Sequence, residues 1–473
     1  MTLHYESALN LGQRILKRDI SVSEVVTGFL ARIDETNSAL NAIITRCDES
    51  ALSQAAAFDR NFKPAGKALY GLPIAIKDLA QTEGVRTTFG SPIFESFVPT
   101  EDDLFVSRLR AAGAIIIGKT NTPEFGAGSQ TFNQVFGTTK NPYDLDKTCG
   151  GSSGGAAVAV ASGMLPFADG SDLGGSLRNP AAFCNVVGFR PSPGRVPNWP
   201  KQFSSEQLSV SGPMAREVAD VALLLSAMAG PDARVPISRN EPGDIFNQPL
   251  SHDWRHAKIA FSPNLNLFEV DREISAKLEH VLPVFATLGA DMDEACPDLS
   301  AAEEIFTTLR AWLFAARFED LLNKHRNKMK DTVVWNIEQG LSLSINDLTR
   351  AETLRSALIA STAKFFNQYD FLVCPTTQVL PFSTDIEWVR EINGVEMSSY
   401  LDWMGICWAI TVTGCPAISV PIGFSREGLP IGMQIVGPHG KDFELLQLAY
   451  AFEQETKYAE QHPREDLIRQ GSH

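Results

Sequence analysis

Between Cys149 and Arg178 the chain reads CGGSSGGAAVAVASGMLPFADGSDLGGSLR, two glycine and serine clusters flanking a small-residue apolar run. Glycine lets backbone approach another group closely and take positive φ, so two clusters predict two tight backbone turns at one site. Between them, Gly154 to Gly163 is rich in Ala and Val and suits a closely packed helix, and Met164 to Ala168 suits a short buried strand. That spacing folds the second cluster back toward the first.

The serines in these clusters are the candidates for chemistry. Ser152 and Ser153 stand in GGSSGG and Ser176 in DLGGS, 24 residues beyond Ser152. A serine hydroxyl is a weak nucleophile without a base beside it. None of the 8 histidines falls between His4 and His252, and no GxSxG turn surrounds Ser176, so a Ser-His-Asp arrangement has no signal here. A better base lies upstream in GLPIAIKDLA, where Lys77 follows the apolar run Leu72 to Ile76. Desolvation at the end of a buried strand lowers a lysine pKa, and only the neutral amine accepts a proton.

Around these residues, the chain resembles the amidase signature family, serine hydrolases that use a Ser-Ser-Lys triad. The matching pieces are GLPIAIKD around Lys77, GKTNTPEFGAGS from Gly118 to Ser129, GTTKNPYD from Gly137 to Asp144, CGGSSGG, SDLGGSLRNPAAFCNVVGFRPS, and GCPAISVPIGF with GLPIGMQIVGP near the C-terminus. They run in the family's order, a far more specific signal than one glycine motif. The resemblance implies Ser176 as nucleophile, Ser152 as bridging serine after a cis Gly151-Ser152 peptide, and Lys77 as base. It also implies an oxyanion hole from the backbone N–H groups of Leu173, Gly174, Gly175 and Ser176, where glycine leaves donors unobstructed. Supporting or substrate-binding roles are expected for Ser129, Ser153, Asp172 and Arg178, with Asp172 read as a carboxylate accepting backbone N–H bonds and Ser153 as a loop-holding hydroxyl. Cys149 adjoins the motif and reads as a small buried thiol. Leu173, where threonine or isoleucine is common, and Phe189-Arg190-Pro191-Ser192 depart from the family pattern without touching the triad.

Along the chain, residues 1–65 read as a helical layer, with a capping box at Ser21-Val22-Ser23-Glu24. The strand carrying Lys77, a helix from Asp103 to Ala112 and a strand from Ala114 to Ile117 form a strand-helix-strand unit, which requires a right-handed parallel crossover. Further strands are expected at Ala257–Phe261, Phe371–Cys374, Ala417–Val420 and Met433–Val436, and helices at Ala215–Ala229, Glu273–Leu288, Phe306–Asn327 and Phe443–Glu455. The expected fold class is α/β, the amidase signature fold: one domain over 1–473, with a single large mixed, mostly parallel central sheet covered by helices on both faces. Residues 298–397 lack the shared motifs; the resemblance implies that such a segment shapes the substrate pocket, with Trp312, Phe314 and Trp335, and Tyr400, Trp403 and Trp408 just beyond it, as candidate walls.

Composition narrows the function classes. A net charge of −15 disfavours nucleic acid and anionic lipid as partners. Seven cysteines without a CxxC pair suit reduced thiols and give no zinc site. Neither a secretory leader nor an apolar run long enough to cross a membrane is visible, so a cytoplasmic enzyme is expected. GGSSGG lacks the Lys-Ser/Thr of a phosphate-cradling P-loop. The expectation is hydrolysis of a small linear carboxamide or related ester to acid and amine or ammonia, without metal or cofactor, by a monomer or homodimer. The alternative is a glutaminase-type component of a glutamine-dependent transamidation complex.

Overall fold

The computed structural model describes residues 3–469. Its main sheet has eight strands in the order Asp291–Glu294, Lys258–Phe261, Phe371–Pro375, Pro430–Val436, Ala417–Phe424, Val187–Arg190, Val210–Ala215 and Phe167–Asp172. The first three run parallel, and every pairing beyond them is antiparallel. The sheet is therefore mixed, as expected, but mostly antiparallel rather than mostly parallel. For one of these pairings the reason is connection length. Ala417–Phe424 and Pro430–Val436 are joined by the short turn Ser425–Leu429, which closes with two backbone bonds between Ser425 and its neighbours and admits only a hairpin. Parallel neighbours need a crossover helix, and here Arg272–Val281 supplies one between Lys258–Phe261 and Asp291–Glu294.

Central strands Ala417–Phe424 and Pro430–Val436 are buried on both faces and read as nearly continuous apolar runs, because helices flank them. The outer strand Asp291–Glu294 presents three acidic residues, charge that blunts an open edge against pairing with other chains. At the opposite edge, Phe167–Asp172 packs against a separate three-stranded sheet, in which Pro73–Lys77 runs parallel to Ile115–Thr120 through the helix Leu104–Ala111. The expected crossover thus exists, but in this small sheet. The backbone N–H of Lys77 donates to Asp169 Oδ1 across the junction at 2.9 Å.

Local chemistry explains most boundaries. Ser21 and Glu24 form the capping box and start a helix over Val22–Leu40. The strand Ile43–Arg46, too short to show periodicity, follows it and pairs with Ile115–Thr120. Pro283 splits the expected helix over 273–288 into Arg272–Val281 and Pro283–Thr287, since proline cannot donate within a helix. The helix Gly154–Ala161 is buried throughout, its small side chains letting strands and neighbouring helices approach from all sides.

Candidate active site

Lys77 ends its strand at the junction of the two sheets and is 1 % exposed. Its Nζ lies 2.8 Å from Ser152 Oγ, 2.8 Å from Ser153 Oγ and 3.1 Å from Ser171 Oγ. Burial lowers its pKa from 10.5 to about 7, against the raising influence of Asp169 and Asp172. Burial also raises Asp169 to about 6, although it accepts the Lys77 backbone N–H. Near neutral pH a large share of Lys77 is therefore uncharged.

The uncharged amine has two N–H donors and one lone pair, so of three surrounding hydroxyls one must donate to it. Ser153 Oγ spends its proton on the Ser171 carbonyl at 3.3 Å. Ser152 and Ser171 remain as hydroxyls able to donate to the amine. Both line the cavity beside Lys77, whereas Ser153 lies behind it. Ser171 did not emerge from the sequence. The signal for it was the period-2 alternation of a strand, which puts Asp169 and Ser171 on one face; the former holds the Lys77 backbone and the latter its amine.

Ser176 is 9 % exposed, lines the same cavity and has no side-chain hydrogen bond among the described residues. The two serine loops are tied where Ser153 N–H donates to the Ser176 carbonyl at 3.2 Å. The Gly151-Ser152 peptide is cis. Beneath the second loop, Asp172 accepts from Gly175 N–H at 2.8 Å and Leu177 N–H at 3.2 Å, and pairs with Arg178 and Arg190. Burial alone would raise the Asp172 carboxyl, but those guanidiniums hold it well below the usual carboxylate range. Arg178 also donates to the Cys407 carbonyl, Thr411 and Gln434, so it is consumed in holding the loop and lies outside the cavity lining.

One of the four expected oxyanion donors already has an acceptor in the turn. Gly175 N–H is occupied by Asp172, whose carboxylate sits inside the turn. The N–H groups of Leu173, Gly174 and Ser176 have no acceptor among the described residues. Gly175 is still required as glycine, since its φ is +120° and a Cβ there would stand 2.6 Å from Cys407 Cβ. Ser129 lines the cavity too; its Oγ accepts from Asn179 Nδ2 at 3.0 Å and lies 2.9 Å from Met404 Sδ. Cys149 is buried, and burial pushes its thiol up to about 12, leaving almost no thiolate at neutral pH.

The cavity encloses about 530 Å³. Of the six expected aromatic walls only Phe314 lines it; Trp403 packs on Phe183 and Phe382, Trp408 stacks behind on Phe306, Tyr400 is buried, Trp312 lies against Phe203, and Trp335 faces outward. The apolar walls come instead from Phe89, Phe94, Phe105 and Phe125, with Phe318 beside Phe314 and Trp199 opposite. Three of these lie in the irregular stretch around 79–103 and at Phe125, where no period marks which side chains point inward. Among the described residues no cluster of His, Cys, Asp and Glu could hold a metal ion, and no helix is long and apolar enough to cross a membrane.

A buried lysine, a cluster of hydroxyls and a glycine turn thus meet in one cavity beside the mixed eight-stranded sheet. The family model Amidase matches residues 24–446. The chain is 34 % identical over 472 residues to an acylamidase of Rhodococcus erythropolis, covering 98 % of each. It is 33 % identical over 497 residues to a glutamyl-tRNA(Gln) amidotransferase subunit of Alkaliphilus metalliredigens (strain QYMF), covering 99 % of this chain and 100 % of that one. Among solved structures, a bacterial aryl acylamidase of the amidase signature family superposes with a TM-score of 0.92 at 28 % identity, over 99 % of each chain. The chain belongs to the amidase signature family and is an amide-hydrolysing enzyme.

Proposed function

We propose that this enzyme cleaves a small carboxamide through an acyl-enzyme on Ser176, with Ser152 and Lys77 as the proton relay. The observation that carries this reading is the buried amine of Lys77, its pKa lowered by burial to about 7, within 2.8 Å of the Ser152 hydroxyl in a cavity that Ser176 also lines. Ser176 Oγ attacks the amide carbon as its proton passes to Ser152 and the Ser152 proton passes to Lys77. The oxyanion forms against the N–H groups of Leu173, Gly174 and Ser176, each such donor contributing about 3 kcal/mol in comparable sites. The C–N bond then breaks, and the relay returns the proton to the leaving amine or ammonia. Water, deprotonated by the same relay, attacks the ester and releases the acid. Ser153 and Ser171 keep the amine aimed while Ser152 exchanges its proton.

Ser176→Ala is expected to lower kcat by at least ~10³-fold with an unchanged circular dichroism spectrum, and Ser152→Ala to lower it without abolishing amide binding. Amide turnover by Ser176→Ala at the wild-type rate would refute the assignment. Likeness to glutamyl-tRNA(Gln) amidotransferase subunits supports a second reading, a glutaminase-type component of a transamidation complex. The purified chain separates the two: a free-standing amidase turns over amides alone, as a monomer or homodimer, whereas a component of a complex depends on added partner chains.

A further inference from the structure

We propose that the substrate carries a carboxylate and that Arg310 binds it on the cavity wall facing the oxyanion turn. The inference rests on the amide-hydrolysis reading and narrows its substrate to an anionic amide.

The helix Ala302–His325 runs along the cavity. Phe306 on this helix closes against the turn, for a Cβ on Gly174 would stand 2.9 Å from its ring, and Trp408 stacks on Phe306 with centroids 5.1 Å apart. Four residues on, about 6 Å along the axis and on the same face, stands Arg310. It is 4 % exposed and lines the same cavity as Ser176 and Lys77.

A guanidinium this deeply buried ordinarily meets an anion or a full set of carbonyls. Arg178, Arg190 and Arg195 in this chain each pair with a carboxylate, and Arg216 donates to three carbonyls. Arg310 has one neutral partner, Tyr400 Oη, which accepts from Nη2 at 2.7 Å. Its Nε has no partner, and no carboxylate of the described residues stands within ion-pair distance. The Phe314 and Tyr400 rings, 4.5 and 5.8 Å from the guanidinium carbon, orient the cation without supplying negative charge. Asn336 donates to the same Tyr400 hydroxyl at 2.6 Å, which fixes the tyrosine that fixes the arginine.

The other charges on the cavity are already engaged. Arg317 and Lys201 both pair with Glu206. Asp103 and Asp169 accept the backbone N–H groups of Gln81 and Lys77. A pre-oriented guanidinium whose Nη1 bonds no group among the described residues and, unlike Nε, is not sealed off matches a carboxylate, which accepts N–H bonds from it. A neutral amide would leave that donor unmet.

The test uses glutaryl 4-nitroanilide, with a carboxylate on the acyl side, 4-(butyrylamino)benzoate, with one on the amine side, and butyryl 4-nitroanilide as the neutral probe. Dissociation constants are measured by calorimetry on Ser176→Ala, so binding is read without turnover, and again after adding Arg310→Gln or Arg310→Lys. Wild-type hydrolysis of the neutral probe separately checks the amidase reading. We expect one anionic probe to bind ~10- to 100-fold tighter than the neutral one, the contrast to vanish with Arg310→Gln, and part of it to survive with Arg310→Lys. Equal binding of all three probes to Ser176→Ala overturns the inference, as does a contrast that Arg310→Gln leaves intact. Thermal unfolding of each variant reports its fold, and should Arg310→Gln not fold, the probe contrast in the parent and in Arg310→Lys decides.

Discussion

Lys77 accepts a proton only when it carries none, and that fixes the sign of the pH dependence. With a pKa of about 7, set by burial, kcat/KM should fall about tenfold per pH unit below 7 and level off above it. The same shift acts on stability. The unfolded chain holds the proton up to about 10.5 and the folded one only to about 7, so the cost of burying Lys77 is full below pH 7 and fades as pH rises from 7 to 10.5. Lys77→Met should therefore raise the melting temperature relative to wild type more at pH 6 than at pH 9.5, which scanning calorimetry can check. Equal shifts at both pH values would contradict a neutral buried lysine. Lys77, Ser152 and Ser176, the residues proposed as the relay and nucleophile, stand out in the sequence because family motifs surround each of them. Ser171 and Arg310 were not: one is a serine in an ordinary strand alternation, the other an arginine among several on a helix, and only tertiary packing makes either unusual.

At the scale of elements, the Asp172 carboxylate joins the strand Phe167–Asp172, the glycine turn, the helix Arg178–Phe183 and the strand Val187–Arg190. Replacing it leaves two guanidiniums buried without an anion, and breaking a buried charge network costs about 3–5 kcal/mol. Asp172→Ala should lose that much stability in urea and, by freeing Gly175 N–H and loosening the turn, lower kcat more than it raises KM. A loss under 1 kcal/mol would mean that other groups hold the turn. Element types and most boundaries follow from apolar runs, caps and prolines, as at Ser21 and Pro283. Strand direction does not. The parallel unit at Pro73–Lys77 and Ile115–Thr120 suggests a parallel sheet throughout, whereas Val187–Arg190, Val210–Ala215, Ala417–Phe424 and Pro430–Val436 pair antiparallel, the last two through the short Ser425–Leu429 turn and Val187–Arg190 with Ala417–Phe424 as partners distant in sequence.

For the whole molecule, the groups proposed to react sit where two sheets meet, so no single element contains the site. The small sheet supplies Lys77, the main sheet's last strand supplies Asp169 and Ser171, the flanking loops supply Ser152 and Ser176, and the helix Ala302–His325 closes the far wall. Segments remote in the chain line one cavity, which is why the pocket's aromatic walls escaped the sequence while the family motifs did not. The most direct measurement is peptide mass mapping of the purified chain, acid-quenched during turnover of a 4-nitrophenyl ester. An acyl adduct on Ser176, absent from Ser176→Ala and slow to form in Lys77→Ala, is the predicted result. Turnover with the adduct on another residue, or undiminished turnover with Ser176 replaced, would contradict the account.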